Sequence, residues 1–202
     1  MGRRATLPAR PVARPPPIAT LRGVSSTGVP DRPWKTRTAV RVIVVTDDDH
    51  VLLFADTDPG VPGVHWWVTP GGGVDPGETE RQTGVRELFE ETGLRVAEDA
   101  LVGPLARRRV QHGYSDQVLD QTETFYLVRT PRFEVDIAGH TPEEQLTLQG
   151  HRWWPRAELA DAGEWVWPGE LAELINRAET GQRQPPLDLG IVRSESTVPI
   201  AD

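Results

Sequence analysis

Three glutamates are the first residues in this sequence that could do chemistry: Glu87, Glu90 and Glu91, spaced i, i+3 and i+4. On a helix they share an arc of about 100°. Val85, Leu88, Phe89 and Thr92 fall on the opposite side, the one expected to face a core. The acidic face is then expected to look outward or into a cleft. Acids on a solvated helix face are common, so their presence alone says little. Here, however, Glu87 and Glu91 repel each other, and all three acids occupy the last two turns, where the helix dipole favours cations. Each conflict costs a few tenths of a kcal/mol, up to about 1 for the dipole. Several broken local rules at one spot point to a site, and a bound divalent cation removes the conflict. Clustered carboxylates without cysteine or paired histidine suit hard ions, so Mg²⁺ is expected, with Mn²⁺ as a substitute. The histidines (His50, His65, His112, His140 and His151) show no ligand spacing.

The loop ahead of this helix is glycine-rich, with Pro70-Gly71-Gly72-Gly73 read as a sharp break. Two phosphate-cradling patterns fail there. G-x-G-x-x-G, started at Gly71, meets Pro76 at its third glycine; G-x-x-x-x-G-K fits Gly72 and Gly77 but meets Glu78 where lysine is required. A carboxylate at that point suggests that phosphate is met through a metal.

Residues 72–94, GGVDPGETERQTGVRELFEETGL, resemble the Nudix box, G-x5-E-x7-R-E-U-x-E-E-x-G-U with U aliphatic. All nine specified positions agree: Gly72, Glu78, Arg86, Glu87, Leu88, Glu90, Glu91, Gly93 and Leu94. The resemblance implies an α/β fold, an α/β/α sandwich around a mixed β-sheet, over about residues 36 to 180. It also implies divalent-metal-dependent hydrolysis of a diphosphate linkage in a nucleoside diphosphate derivative. Carried over residue by residue, Glu87, Glu90 and Glu91 hold Mg²⁺, and Arg86 orients those carboxylates. Glu78 braces the site, while Gly72 and Gly93 permit the backbone turns. The general base lies either in the box, with Glu87 and Glu91 as candidates, or in a later loop, where Glu144 and Glu143 are the candidates and Glu123 an outsider.

Signatures of the NADH, ADP-ribose and coenzyme A types are missing from the segments around the box, which leaves a MutT-like (deoxy)nucleoside triphosphate pyrophosphohydrolase as the first expectation. Hydrolysis of ADP-ribose, a nucleotide sugar or a dinucleoside polyphosphate is the alternative. A nucleotide-sensing module without activity is the reading from another class, and it ranks lower because no box acid is lost.

The elements that must position these residues follow from local pattern. Ala39–Val45 (AVRVIVV) reads as a strand, Asp47-Asp48-Asp49 as a turn rather than a cation site, and Val51–Ala55 as the return strand. Trp66–Val68, Leu94 to Val110, Thr122–Arg129 and His151–Trp154 supply further strands. The first helix spans about Glu78 to Thr92 and stops at Gly93; a last helix covers Gly169–Thr180, with Leu171, Leu174, Ile175 and Ala178 on one stripe. Gly84, inside the first helix, has no account beyond close packing. For substrate recognition, packing is the expected role of any single Trp, but one of Trp153 and Trp154 could line a base pocket. Arg107 and Arg109, in the Arg107-Arg108-Arg109 cluster with His112, could receive phosphates, and a solvated strand edge explains them almost as well.

Composition bounds the rest. The 202 residues include 30 acids, 22 bases and no cysteine, for a formal charge of -8, which excludes a disulfide framework and thiolate chemistry. Residues 1–33 carry six Arg and seven Pro for a charge of +5, against -13 for the remainder. That first stretch lacks helical or strand periodicity, so 1–35 is expected to be a disordered Arg/Pro-rich arm, 36–182 the catalytic domain and 183–202 an irregular tail. With no secretory or membrane-length apolar run, the expectation is a cytoplasmic protein with a small-molecule nucleotide substrate and no membrane partner. Nucleic-acid contact through the arm is a minor expectation, and a homodimer is compatible with everything above.

Overall fold

In the computed structural model, which describes residues 31–181 and 185–200, the AVRVIVV run lies within the central strand β1 (Trp34–Thr46). Its β-branched side chains alternate across the sheet. Val40, Val42 and Val44 pack with Leu52, Phe54, Leu88 and Tyr126 on one face. Ile43 and Val45 pack with Leu53, Phe125, Leu127 and Trp154 on the other. Both faces of β1 are therefore covered, as its near-continuous apolar run requires.

The further strands are β2 (His50–Thr57), β3 (His65–Val68), β4 (Gly71–Gly73), β5 (Val102–Gly113), β6 (Val118–Thr130), β7 (Leu148–Pro155), β8 (Val166–Trp167) and β9 (Leu187–Val192). They form one mixed sheet in the order β8-β3-β2-β1-β6-β5-β9, with β4 paired to β1 and β7 paired to β2. β1 runs parallel to β6 along its whole length, from Trp34↔Val118 to Thr46↔Thr130. Against β2 it is registered at Val45↔Val51, beside the turn, while its earlier part pairs with β4 instead. The β2-β3-β7-β8 half thus diverges from the β1-β6-β5-β9 half and leaves a cleft between them.

Helix α1 (Glu80–Thr92) covers the Val42 face and α3 (Leu171–Glu179) the Ile43 face, giving the expected α/β/α sandwich. The chain starts α1 with a capping box, Thr79 with Gln82, and ends it at Gly93 with φ 73°. Gly84 has its reason here: a Cβ would lie 3.0 Å from Leu101 Cδ1 and 3.3 Å from Val42 Cγ2, so the missing side chain lets α1 sit close on β1. A short helix, α2 (Pro142–Thr147), has its own capping box, Thr141 with Glu144. No helix among the described residues is long and apolar enough to cross a membrane.

The structure corrects several expectations. The glycine break is a strand: Gly72 sits opposite Val40, and Gly71 adopts φ 133° with its backbone against the Val40 carbonyl, where a Cβ would lie 2.1 Å away. The strand expected from Leu94 begins only at Val102, because residues 98–100 form a single 3-10 turn first. Phe89 is 40% exposed rather than in the core, with the Arg95 guanidinium 3.6 Å above its ring. The tail from 183 is not irregular throughout: β9 pairs with β5, and Glu195 and Thr197 beyond it are buried. The arm expected over 1–35 gives up its last residues to the fold, with Arg32 buried and Trp34 opening β1; residues 1–30 lie outside the described part.

Candidate active site

Arg86 is the organising residue of the box. Its Nε and Nη2 donate to the two oxygens of Glu78, at 2.8 and 2.9 Å, while Nη1 donates to both Glu87 and Glu90 at 2.9 Å. Nη2 also bonds the Gly73 carbonyl at 2.9 Å, tying the helix to β4. The hydrogen bonds from Arg86 hold the Glu78 carboxyl down at about 2, and Thr83 adds a further donor to it. Glu78 is thereby a fixed counter-charge for Arg86, not a proton carrier.

The acidic face does not look into open solvent. Glu87 and Glu91 are each 5% exposed, tucked against the glycine strand. Glu91 Oε2 accepts the Gly71 N–H at 2.8 Å. A Cβ on Gly72 would lie 2.6 Å from Glu87 Oε1, so glycine there makes room for the carboxylate. Gly72→Ala should displace Glu87 and lower any turnover by about tenfold to a hundredfold, with the far-UV spectrum unchanged. Retention of full turnover would show that the close approach of Gly72 is dispensable.

The loop after β6 crosses the end of α1. The Asp136 N–H donates to the Thr92 carbonyl at 3.0 Å, and His140 Nε2 donates to the Glu91 carbonyl at 3.1 Å. This crossing delivers α2, whose Glu144 comes to Glu87 and Glu91: one carboxylate oxygen from each of the three lies within 4.8 Å of the others. Glu144 is oriented by the Thr141 N–H and hydroxyl, at 2.7 and 2.9 Å. Glu90 is not part of this trio, its carboxylate being turned to Arg86, and Glu143 is exposed. Burial pushes the Glu91 carboxyl well above the usual range, with the Gly71 N–H opposing and Glu87 adding to the shift. Burial raises Glu87 as well, against the pull of Arg86. Three converging oxygen donors, two of them buried and destabilised as anions, form a donor set that fits a hard divalent cation.

Glu123 has a different place. It is 2% exposed and bonded by Arg41 Nε at 2.9 Å, Arg108 Nε at 2.5 Å and Gln121 Nε2 at 2.7 Å. Burial alone would raise its carboxyl, but Arg108 and Arg41 outweigh that and hold it at about 2. Such a carboxylate is structural and poorly suited to take a proton. Arg41 goes on to donate to the Gly71 carbonyl at 3.0 Å, so Gly71 touches both Glu91 and Arg41. The sequence held a signal for Arg41, a charge inside a β-branched run, but its partner on β6 depends on register that local pattern does not carry.

The recognition candidates do not gather at the carboxylates. Arg107 pairs with Glu80 at 3.2 Å, at the far end of α1, about 16 Å along the helix from Glu91. Arg109 is forked onto Asp120, with Nε 2.7 Å from Oδ1. Trp154 is 2% exposed, edge-on to Trp67 in the α3-side core, and is no base pocket. Trp153 is half-buried, edge-on to Phe133 at 5.3 Å.

A family model described as NUDIX domain matches residues 35–175. A Bacillus subtilis (strain 168) relative named "Putative 8-oxo-dGTP diphosphatase" is 40% identical over 70 residues, covering 35% of this chain and 44% of that protein. An RNA pyrophosphohydrolase of Pseudoalteromonas atlantica is 34% identical over 90 residues, covering 39% of this chain and 52% of that one. The chain thus spans about half the length of these curated relatives. Among solved structures, the E. coli dihydroneopterin triphosphate pyrophosphohydrolase superposes with a TM-score of 0.52 at 20% identity, covering 72% of this chain and 99% of that chain, which is a likeness of fold.

Proposed function

The chain belongs to the Nudix family, and from that premise we propose that it is a divalent-metal-dependent hydrolase of a diphosphate linkage in a nucleoside diphosphate derivative. The first substrate class is a (deoxy)nucleoside triphosphate, cleaved to the monophosphate and pyrophosphate. The observation that carries this reading is the convergence of Glu87, Glu91 and Glu144 beside an intact, Arg86-braced box. In this reading Glu87 and Glu91 hold the ion, with Glu90 and Arg86 alongside and Glu144 facing it from α2. Mg²⁺ held there would supply charge to neutralise the diphosphate oxygens. Glu144, on its own helix and held by Thr141, takes the proton of the attacking water at its carboxylate oxygen. Arg86 and Glu78 keep Glu87 in place throughout, and the Gly71 N–H does the same for Glu91. The enzyme acts on small nucleotides in the cytoplasm. A second reading, pyrophosphohydrolysis of RNA, is favoured by the names of several relatives.

A panel of dNTPs, oxidised dGTP, 5′-triphosphorylated RNA, ADP-ribose, NADH and dinucleoside polyphosphates, with phosphate, pyrophosphate and monophosphate products separated, tests the proposal. Turnover should appear with Mg²⁺, fall at least about 100-fold on chelation and return when Mg²⁺ is restored. Tight nucleotide binding without hydrolysis under Mg²⁺ or Mn²⁺ would establish the sensing module instead.

A further inference from the structure

Five hydrogen bonds run without a break from the C-terminal segment to Glu91. Glu195 Oε1 accepts from Arg108 Nη1 at 2.6 Å, and Arg108 Nε donates to Glu123 Oε2 at 2.5 Å. The other oxygen of Glu123 accepts from Arg41 Nε at 2.9 Å. Arg41 Nη1 donates to the Gly71 carbonyl at 3.0 Å, and the Gly71 N–H ends the row on Glu91 Oε2 at 2.8 Å. Arg108, Glu123 and Glu195 are all buried, and the charges alternate along the row.

The first member of the row stands beyond residues 35–175, the part that the family model matches. It is nonetheless firmly placed. Before it, Arg193 Nε donates to Gln111 of β5 at 2.7 Å. After it, Ser196 Oγ accepts the Gly113 N–H at 2.9 Å, and Thr197 Oγ1 donates to Asp58 at 2.6 Å. The Thr197 and Val198 N–H groups both donate to the Gly113 carbonyl, at 3.0 and 2.9 Å. Glu195 is thus pinned on both sides, with its carboxylate turned inward to Arg108.

Two physical arguments give the row a task. Buried ion networks add little net stability over apolar packing, and fixing one arrangement is their best-attested use. With Glu195 present, Glu123 is divided evenly, one oxygen to Arg108 and one to Arg41. Without it, both Arg108 donors close on Glu123 and draw it away from Arg41. The second argument concerns Gly71, whose φ of 133° is a conformation that glycine enters and leaves at little cost. Beyond its pairing with β1, the grip on its carbonyl comes from Arg41. The aim of the Gly71 N–H at Glu91 therefore depends on where Arg41 is held.

We infer that Glu195 is a positioning residue for Glu91: through Arg108, Glu123, Arg41 and Gly71 it holds the Glu91 carboxylate in place for the ion. The inference rests on the hydrolase reading above and deepens it, since a residue of the C-terminal segment then tunes the metal site without touching it.

The full chain, isotope-labelled for NMR, tests this with readouts besides turnover. Glu195→Ala should move the Gly71 amide proton upfield and weaken Mn²⁺ binding, read from the free-ion signal in electron paramagnetic resonance, about three- to tenfold. It should lower kcat by a similar factor, with KM little changed. Glu195→Gln should recover part of each effect, because its amide oxygen still accepts from Arg108. Thr197→Val loosens the same segment by removing the bond to Asp58. It should lower the melting temperature and leave the Gly71 resonance and Mn²⁺ affinity unchanged. In a Glu123→Gln background the effect of Glu195→Ala should largely vanish, because the row is already broken. An unmoved Gly71 resonance in Glu195→Ala, or equal losses in Thr197→Val, would overturn the assignment. Mn²⁺ binding and turnover that ignore Glu195 leave the hydrolase and remove the positioning role. A shifted Gly71 resonance in a chain that neither binds Mn²⁺ nor turns over any panel substrate supports the row and removes the hydrolase.

Discussion

Glu91→Gln lowers turnover at least about 100-fold and leaves the protein folded. The amide oxygen can still accept the Gly71 N–H that Glu91 Oε2 accepts at 2.8 Å, so the contact between α1 and β4 survives. What is lost is the anionic oxygen that closes the trio with Glu87 and Glu144. Burial makes the Glu91 carboxylate costly in the absence of a cation, so a neutral side chain should melt at the same temperature or higher. Catalytic loss without stability loss is the signature of a charge kept for its chemistry. The measurement is kcat with saturating Mg²⁺ beside a thermal melt of the same preparation. Near-wild-type kcat would remove Glu91 from the site, and loss of the folded transition would make it structural.

Glu123→Ala has the opposite profile. Removing one member of a buried, hydrogen-bonded ion network leaves Arg41 and Arg108 short of a partner, and such losses cost about 3–5 kcal/mol. Glu123→Gln should lose less, since its oxygen still accepts from Arg41. The pH dependence follows from the depressed carboxyl. Glu123 titrates at about 2 in the folded chain and near its ordinary value when unfolded, so its contribution is complete above about 4.5 and drains away as pH falls towards 2. That difference corresponds to about 3 kcal/mol. Glu195, raised by burial, acts in the opposite direction and flattens the slope. Denaturant midpoints between pH 6 and 2.5 should therefore fall more steeply in Glu195→Gln than in the wild type, and the Glu123 share of the slope should vanish in Glu123→Gln. An unchanged slope in that variant would place the acid sensitivity elsewhere.

The box was legible because it is local: a glycine loop, a capped helix and acids at i, i+3, i+4 lie within 23 consecutive residues, so spacing alone brings them together. The central strand was legible for a similar reason, since AVRVIVV has no other way to bury itself. The burial of Glu87 and Glu91 was not, because a helical wheel gives a face but not its depth, and the depth comes from Gly72 and Gly84 allowing close approach. Glu144 stands out in the sequence only as an acid in a later loop; its place beside Glu87 and Glu91 depends on where the segment ending at His140 crosses α1. The C-terminal segment resists local reading because its stabilising partners, Asp58, Arg108 and Gly113, are between 84 and 139 residues away in the chain. Short polar stretches with distant partners look like loops to any local rule. Trp154 shows the converse case: aromatic character fits both a ligand surface and packing, and only strand parity places it in the core.

Gly71 gives its N–H to Glu91 and its carbonyl to Arg41, so the two rigid peptide planes flanking a single α-carbon join the carboxylate trio to the mouth of the cleft. The molecule therefore carries a fixed gauge. The spacing of Glu91 from Arg41 is set by one residue of backbone rather than by a hinge. A one-residue insertion between Pro70 and Gly73 would break that joint and part Glu91 from Arg41.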